Sequence, residues 1–216
     1  VETYVVRVWL PDRPGALGQV ASRIGALRGD VVGIDILERG GGRAVDELVV
    51  SLPDRSDIEM LVAEIVQVDG VAVEEVRAVA PDRPDTTTLS LEMAALIAEA
   101  EAPKRLELLC HSLVDLVDGE WAVALHTAAG RDAPGADHPL ILLGEAPDVG
   151  WLTAFLAGSE HLDAPERLAA APGDLVWARL ATNEIALAVG RRGRPFHTRE
   201  RHLVALLGRL TDSLLP

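Results

Sequence analysis

Val5, Arg7 and Trp9 alternate with Tyr4, Val6, Val8 and Leu10, a spacing that predicts a short strand with apolar residues on both faces. The joint LPDRPGAL (10–17) ends it. Leu17, Val20, Ile24 and Leu27 then recur at helical intervals, with Gly29 read as the stop. VVGIDIL (31–37) predicts a second strand in which Asp35 faces away from Ile34 and Ile36. ERGGGR turns the chain, and AVDELVVSL (44–52) returns with Leu48, Val50 and Leu52 on one face, so the pair reads as a hairpin. Ile58, Leu61, Val62, Ile65 and Val66 form the firmest helical stripe of this half; Asp69-Gly70 turns it, and VAVEEVRAV (71–79) is a fourth strand. The order β-α-β-β-α-β, with one apolar stripe per helix, places both helices on one face of an antiparallel sheet.

PDRPD (81–85) repeats the tetrapeptide of residues 11–14 but opens no similar helix, so it is a linker. Beyond it, residues 88–101 and 104–117 read as helices broken at Pro103. WAVALHT (121–127) and LILLGE (140–145) read as strands around the polar turn GRDAPGADH, and DVGWLTAFLAG (148–158) as a helix. DLVWARLA (174–181) and EIALAVGR (184–191) form a hairpin before a final helix from Thr198, the expected N-cap, to Leu215. The whole is α+β. It divides into residues 1–80, a linker at 81–86, and a mixed helix–sheet–helix domain at 87–216.

Composition narrows the function. The 216 residues are 49% apolar, enough for a packed core, and carry a formal net charge of −14. Residues 1–80 hold −6 of that and the remainder −8, so neither part has the basic footprint of a phosphate-backbone binder. Nucleic acid is therefore not an expected partner. Cys110 is the single cysteine, which excludes an intrachain disulfide and suits a reducing compartment. Without a long apolar run, and with a first segment that goes straight into a strand pattern, a cytoplasmic protein with no membrane partner is expected.

The first joint carries the chemistry. Pro14 suits entry to a helix and Gly15 permits close backbone approach. The amides of Gly15, Ala16 and Leu17 would be free donors at a helix N-terminus, a place fit for a carboxylate. Asp12 beside them could accept from an ammonium group, and the two together describe an amino acid. A plain strand-to-helix turn is the alternative.

The stretch Asp12-Arg-Pro-Gly-Ala-Leu-Gly18 between a first strand and a first helix, inside β-α-β-β-α-β, resembles the ACT domain over about residues 3–80. The resemblance implies a ferredoxin-like fold, pairing of domains, and an amino acid or similar small zwitterion bound at the shared interface. Its ligand contacts would come from Asp12, Pro14, Gly15, Ala16 and Leu17, with the start of the second strand at Val31. Some amino-acid-binding members carry a polar amide near that last position, and this chain does not. Residues 87–216 resemble a GAF domain, an α/β/α fold around an antiparallel sheet, chiefly through RGRPFHTRERHLVALLGRLTDSLL (192–215). That resemblance implies small-molecule sensing or dimerisation and names no ligand.

Other suggestive residues have plainer readings. Cys110-His111 matches the dipeptide that holds a linear tetrapyrrole in some GAF domains, but it lies in a helix ahead of that domain's first strand and reads as a buried small residue. His111 and Ser112 point about 100° apart on a helix, so with Asp115 they make no triad. His197 and His202 flank Glu200 at a spacing unlike the zinc-binding HExxH pattern and read as solvated surface. Gly40-Gly41-Gly42 is a hairpin tip, not a phosphate loop, because no helix follows. Glu74 and Glu75 are expected on opposite strand faces. Trp9, Trp121, Trp151 and Trp177 read as core or interface residues, with ligand stacking open to Trp177. No nucleophile–base set, metal cluster or phosphate loop emerges. The expectation is a non-catalytic, cofactor-free, homodimeric sensor acting on a separately encoded protein. The alternative is a pair of modules that serve only for dimerisation or partner binding.

Overall fold

A computed structural model describes residues 2–53, 58–127, 138–158 and 173–216. The chain forms two compact units, Val1–Thr86 with His197–Arg199, and Thr87–Phe196 with Glu200–Pro216. The GRDAPGADH turn, apart from His138, lies outside the described residues.

The first unit runs β1 (Glu2–Pro11), α1 (Ala16–Ala26), β2 (Asp30–Gly40), β3 (Arg43–Leu52), α2 (Ile58–Ile65) and β4 (Ala72–Val79). Its sheet has the order β2-β3-β1-β4, antiparallel throughout, which is the ferredoxin-like arrangement expected from the hydrophobic pattern. Tyr4, Val6, Val8 and Leu10 from β1 meet Leu48, Val50 and Leu52 from β3, Val20 and Ile24 from α1, and Leu61 and Ile65 from α2. One sheet face thus buries both helices. The opposite face carries ions: Arg7 Nη2 donates to Glu47 at 2.8 Å, and Arg77 lies 3.9 Å from both Glu47 and Glu75.

Three local expectations change. Gly29 does not take the left-handed conformation that ends α1; Arg28 does, at φ +58°. Gly29 is required by packing, since a Cβ there would lie 2.9 Å from the Ile24 and Leu52 methyls. The hairpin tip is Gly41-Gly42 alone, both at positive φ, while Gly40 belongs to β2. Glu74 and Glu75 do not simply alternate. Arg7 faces Glu75 and Val8 faces Val73, which leaves Glu74 as the extra residue of a bulge.

The second unit runs α3 (Thr86–Glu99), α4 (Ala102–Leu116), β5 (Trp121–His126), β6 (Ile141–Leu143), α5 (Val149–Gly158), β7 (Leu175–Leu180), β8 (Ile185–Gly190) and α6 (Thr198–Leu214). Its antiparallel sheet has the order β6-β5-β8-β7. One face packs Ala122, Val176, Leu187 and Val189 against Ile97, Leu109, Leu113 and Val204 of α3, α4 and α6. The other packs Trp121, Val123 and Ala188 against Leu152 and Leu156 of α5. Helices therefore cover both faces, as expected. Pro103 does not break the helices. It sits in the first turn of α4, where its missing amide hydrogen costs no bond.

Candidate functional site

The joint between β1 and α1 is tied down by main-chain bonds. Asp12 N donates to Gly42 O at 2.9 Å and Arg13 N to Pro11 O at 2.8 Å. Gly15 then turns at φ +87°, a left-handed conformation that L side chains resist, and α1 begins at Ala16 with no side-chain cap. Ala16 does not present its amide. It is buried, and its N–H closes a turn onto Arg13 O at 3.3 Å. Gln19 N likewise bonds to Gly15 O at 3.0 Å. Among the described residues, the amides of Gly15, Leu17 and Gly18 have no such partner, so two of the three expected donors remain and Gly18 joins them.

Gly15 and Leu17, but not Gly18, border a cleft of about 370 Å³. Its apolar wall comes from Leu10, Pro11, Pro14, Leu17, Ile36 and Ala44, and its charges from Asp12, Arg13, Arg39 and Asp46. Asp12 Oδ1 lies 3.9 Å from Arg39 Nε, both side chains being well exposed. Asp46 differs: it is 3% exposed and its Oδ1 has no hydrogen-bond partner. Burial pushes its carboxyl above the ordinary aspartate range, Arg39 opposes that, and Asp12 adds to it. The hydrophobic pattern held a signal for this residue. Asp46 has the parity of Ala44, Leu48 and Val50 and so falls on the apolar, helix-covered face of β3.

Of the expected contact residues, Asp12, Pro14, Gly15 and Leu17 line the cleft, while Ala16 supports it from within. Val31 stands near the start of β2, opposite Val50 and packed on the core, away from the Ile36–Arg39 end that lines the cleft. β2 is an edge strand of this sheet, and three of its apolar side chains are exposed: Val32 by 58%, Ile34 by 50% and Ile36 by 40%.

The remaining candidates separate. Cys110 is buried in α4, and burial, with the nearby Glu107 charge, pushes its thiol up to about 12. Ser112 is buried while His111 and Asp115 face outward on the same helix. His197 and Glu200, expected on the surface, are both buried, and only His202 is exposed. Glu200 is held by Arg191, whose Nη1 donates to Oε1 at 2.8 Å and Nη2 to Oε2 at 3.1 Å. The same guanidinium donates to Val117 O at 2.6 Å and lies 4.0 Å over the Phe196 ring. The Pro-Phe-x-Thr-x-Glu joint is thus a clamp between β8 and α6. Trp177 meets Phe155 edge-on at 5.2 Å and Phe155 stacks on Trp151 at 5.5 Å, so these rings pack on one another. Trp151 is the exception to the core reading, being 46% exposed. Among the described residues, no group of His, Cys, Asp and Glu could hold a metal ion, and no helix is long and apolar enough to cross a membrane.

The ferredoxin-like unit, with a cleft at the start of its first helix, has likenesses among known proteins. The model of the ACT domain matches residues 4–70. Among solved structures, the chain is similar to an ACT domain protein from Streptococcus pneumoniae (18% identity, TM-score 0.31, covering 36% of this chain and 90% of that one). It is also similar to the ACT domain from GTP pyrophosphokinase of Chlorobium tepidum (16% identity, TM-score 0.29, 37% and 100%). A third similarity is to a formyltetrahydrofolate deformylase from Pseudomonas putida KT2440 (18% identity, TM-score 0.30, 44% and 38%). No curated protein matches the sequence. The family match, together with the strand order, assigns an ACT-like fold to the N-terminal unit.

Proposed function

We propose that the chain is a non-catalytic regulatory protein whose ACT-like unit binds an amino acid. One observation carries this reading: within the Asp12–Gly18 motif, unpartnered amides at the start of α1 face a cleft large enough for such a ligand. The amides, with the α1 dipole, suit a carboxylate. Leu10, Leu17 and Ile36 suit an aliphatic side chain. The unpaired edge of β2 and its exposed valine and isoleucines support pairing with a second copy. In an antiparallel β2–β2 pair, the start of one strand lies beside the end of the other. The partner subunit's Val31 would then stand by the Ile36–Arg39 end of this cleft, and a ligand seated there would favour the paired geometry. The second unit serves as a GAF-like module, and the regulated protein is encoded separately.

A thermal-shift screen of the twenty amino acids tests the reading, because a ligand bound only by the folded state raises the melting temperature. At least one is expected to do so, and Gly15→Phe, which places a ring at this left-handed position over the start of α1, is expected to abolish the effect while circular dichroism shows the fold retained. Ile34→Lys is expected to shift sedimentation from dimer to monomer. If no amino acid raises the melting temperature, sensing is refuted. If Ile34→Lys also leaves the mass unchanged, pairing through β2 falls with it. A second reading, pairing without a ligand, is favoured by the apolar Val31.

A further inference from the structure

Asp46 has no part in the ACT-like motif and its Oδ1 has no hydrogen-bond partner, yet it is almost wholly buried at the wall of the cleft. An unpartnered buried carboxylate is costly, and native folds retain few of them. Its cross-strand neighbours offer it no polar partner. Val8 and Ile36 lie opposite on the flanking strands, and Arg39 lies 3.9 Å from the exposed Asp12. Burial raises its carboxyl more than the Arg39 charge lowers it, and Asp12 adds to the rise.

We propose that Asp46 is the specificity-determining residue of the cleft, accepting the ammonium group of a ligand whose carboxylate meets the amides of Gly15 and Leu17. This inference rests on the amino-acid reading above and sharpens it. Asp46, not the exposed Asp12, supplies the counter-charge, and the ligand carries an unsubstituted ammonium group. The amides and Asp46 thus read the two ends of a zwitterion. A charge-assisted bond to a dry carboxylate is among the stronger polar contacts, whereas one to the wet Asp12 is weak. Ligands lacking the ammonium leave Asp46 buried and unpaired and are rejected for that reason.

The test compares, on the whole chain, each amino acid that raises the melting temperature with its Nα-acetyl form and its desamino acid. Wild type is expected to bind the free amino acid at least tenfold more tightly than either analogue. Asp46→Asn, similar in shape and lacking the charge, is expected to lose that preference, with folding checked by its circular dichroism melt. Asp69→Asn, exposed on the turn between α2 and β4 and outside the cleft, is expected to keep it. Equal binding of the acetylated and free forms by wild type overturns the proposal without any variant. So does an Asp46→Asn protein that retains the preference. If either result occurs while Gly15→Phe still abolishes binding, the cleft remains the ligand site and only the role of Asp46 falls. If no amino acid binds wild type, both fall.

Discussion

Replacing Glu200 by glutamine removes one charge from a pair that solvent does not reach. The Arg191 side chain is fully buried and that of Glu200 is 7% exposed. The guanidinium would keep its bonds to the carbonyls of Val117, Arg194 and Pro195. It would lose its counter-charge, and the amide nitrogen of glutamine would oppose one of its N–H donors. Breaking a buried pair by removing one partner costs about 3–5 kcal/mol, and the surviving carbonyl contacts favour the lower end. For a unit of this size roughly 3 kcal/mol corresponds to a drop of about 10 °C in melting temperature. Urea unfolding followed by tryptophan fluorescence is suited to the measurement, because Trp121, Trp151 and Trp177, three of the four tryptophans, lie in the second unit. The double variant Arg191→Met/Glu200→Leu, which removes both charges, is expected to cost less than Glu200→Gln alone. A loss below about 1 kcal/mol for the single variant, or a double variant worse than it, would refute the clamp as the tie between β8 and α6.

Three further outcomes are expected. Cys110, with its thiol pushed up to about 12 by burial and the Glu107 charge, should resist a thiol reagent at pH 8 in the folded protein and react once denatured; fast labelling of the native chain would contradict its burial. Asp212 accepts from the main-chain amides of Thr182 and Asn183 and from the Asn183 side chain. Burial alone would raise its carboxyl, but these bonds outweigh burial and hold it below the ordinary range, so its contribution is present above pH ~4 and lost as pH falls through the lower folded value. Asp212→Ala should therefore cost about 1 kcal/mol at pH 7, with the gap to wild type closing in acid melts. Gly190→Ala would place a Cβ 2.1 Å from the Trp121 ring, so the variant should fold poorly and show altered near-ultraviolet dichroism; a wild-type spectrum and melt would count against that packing.

Much of this protein was legible in its sequence because the relevant forces are local. Strand alternation at Tyr4–Leu10 and helical spacing at Ile58–Val66 report on which side of an element is dry, and a β-α-β-β-α-β order with short connections leaves few ways to layer it. The Asp12–Leu17 joint was visible because proline and glycine constrain backbone torsions directly. What failed was non-local. The one local exception is the Ala16 amide, spent on a turn to Arg13 that periodicity does not report; nothing near Glu200 says that it will be buried with a guanidinium that also holds Val117 O, far back in the chain. Asp46 lay in plain view as an acid on an apolar face. Whether such a residue is wet, paired or stranded depends on which strands flank it and which helix ends above it. Periodicity decides the dry face of each element, but the environment of a charge is set by groups distant in sequence, and only tertiary packing brings those together.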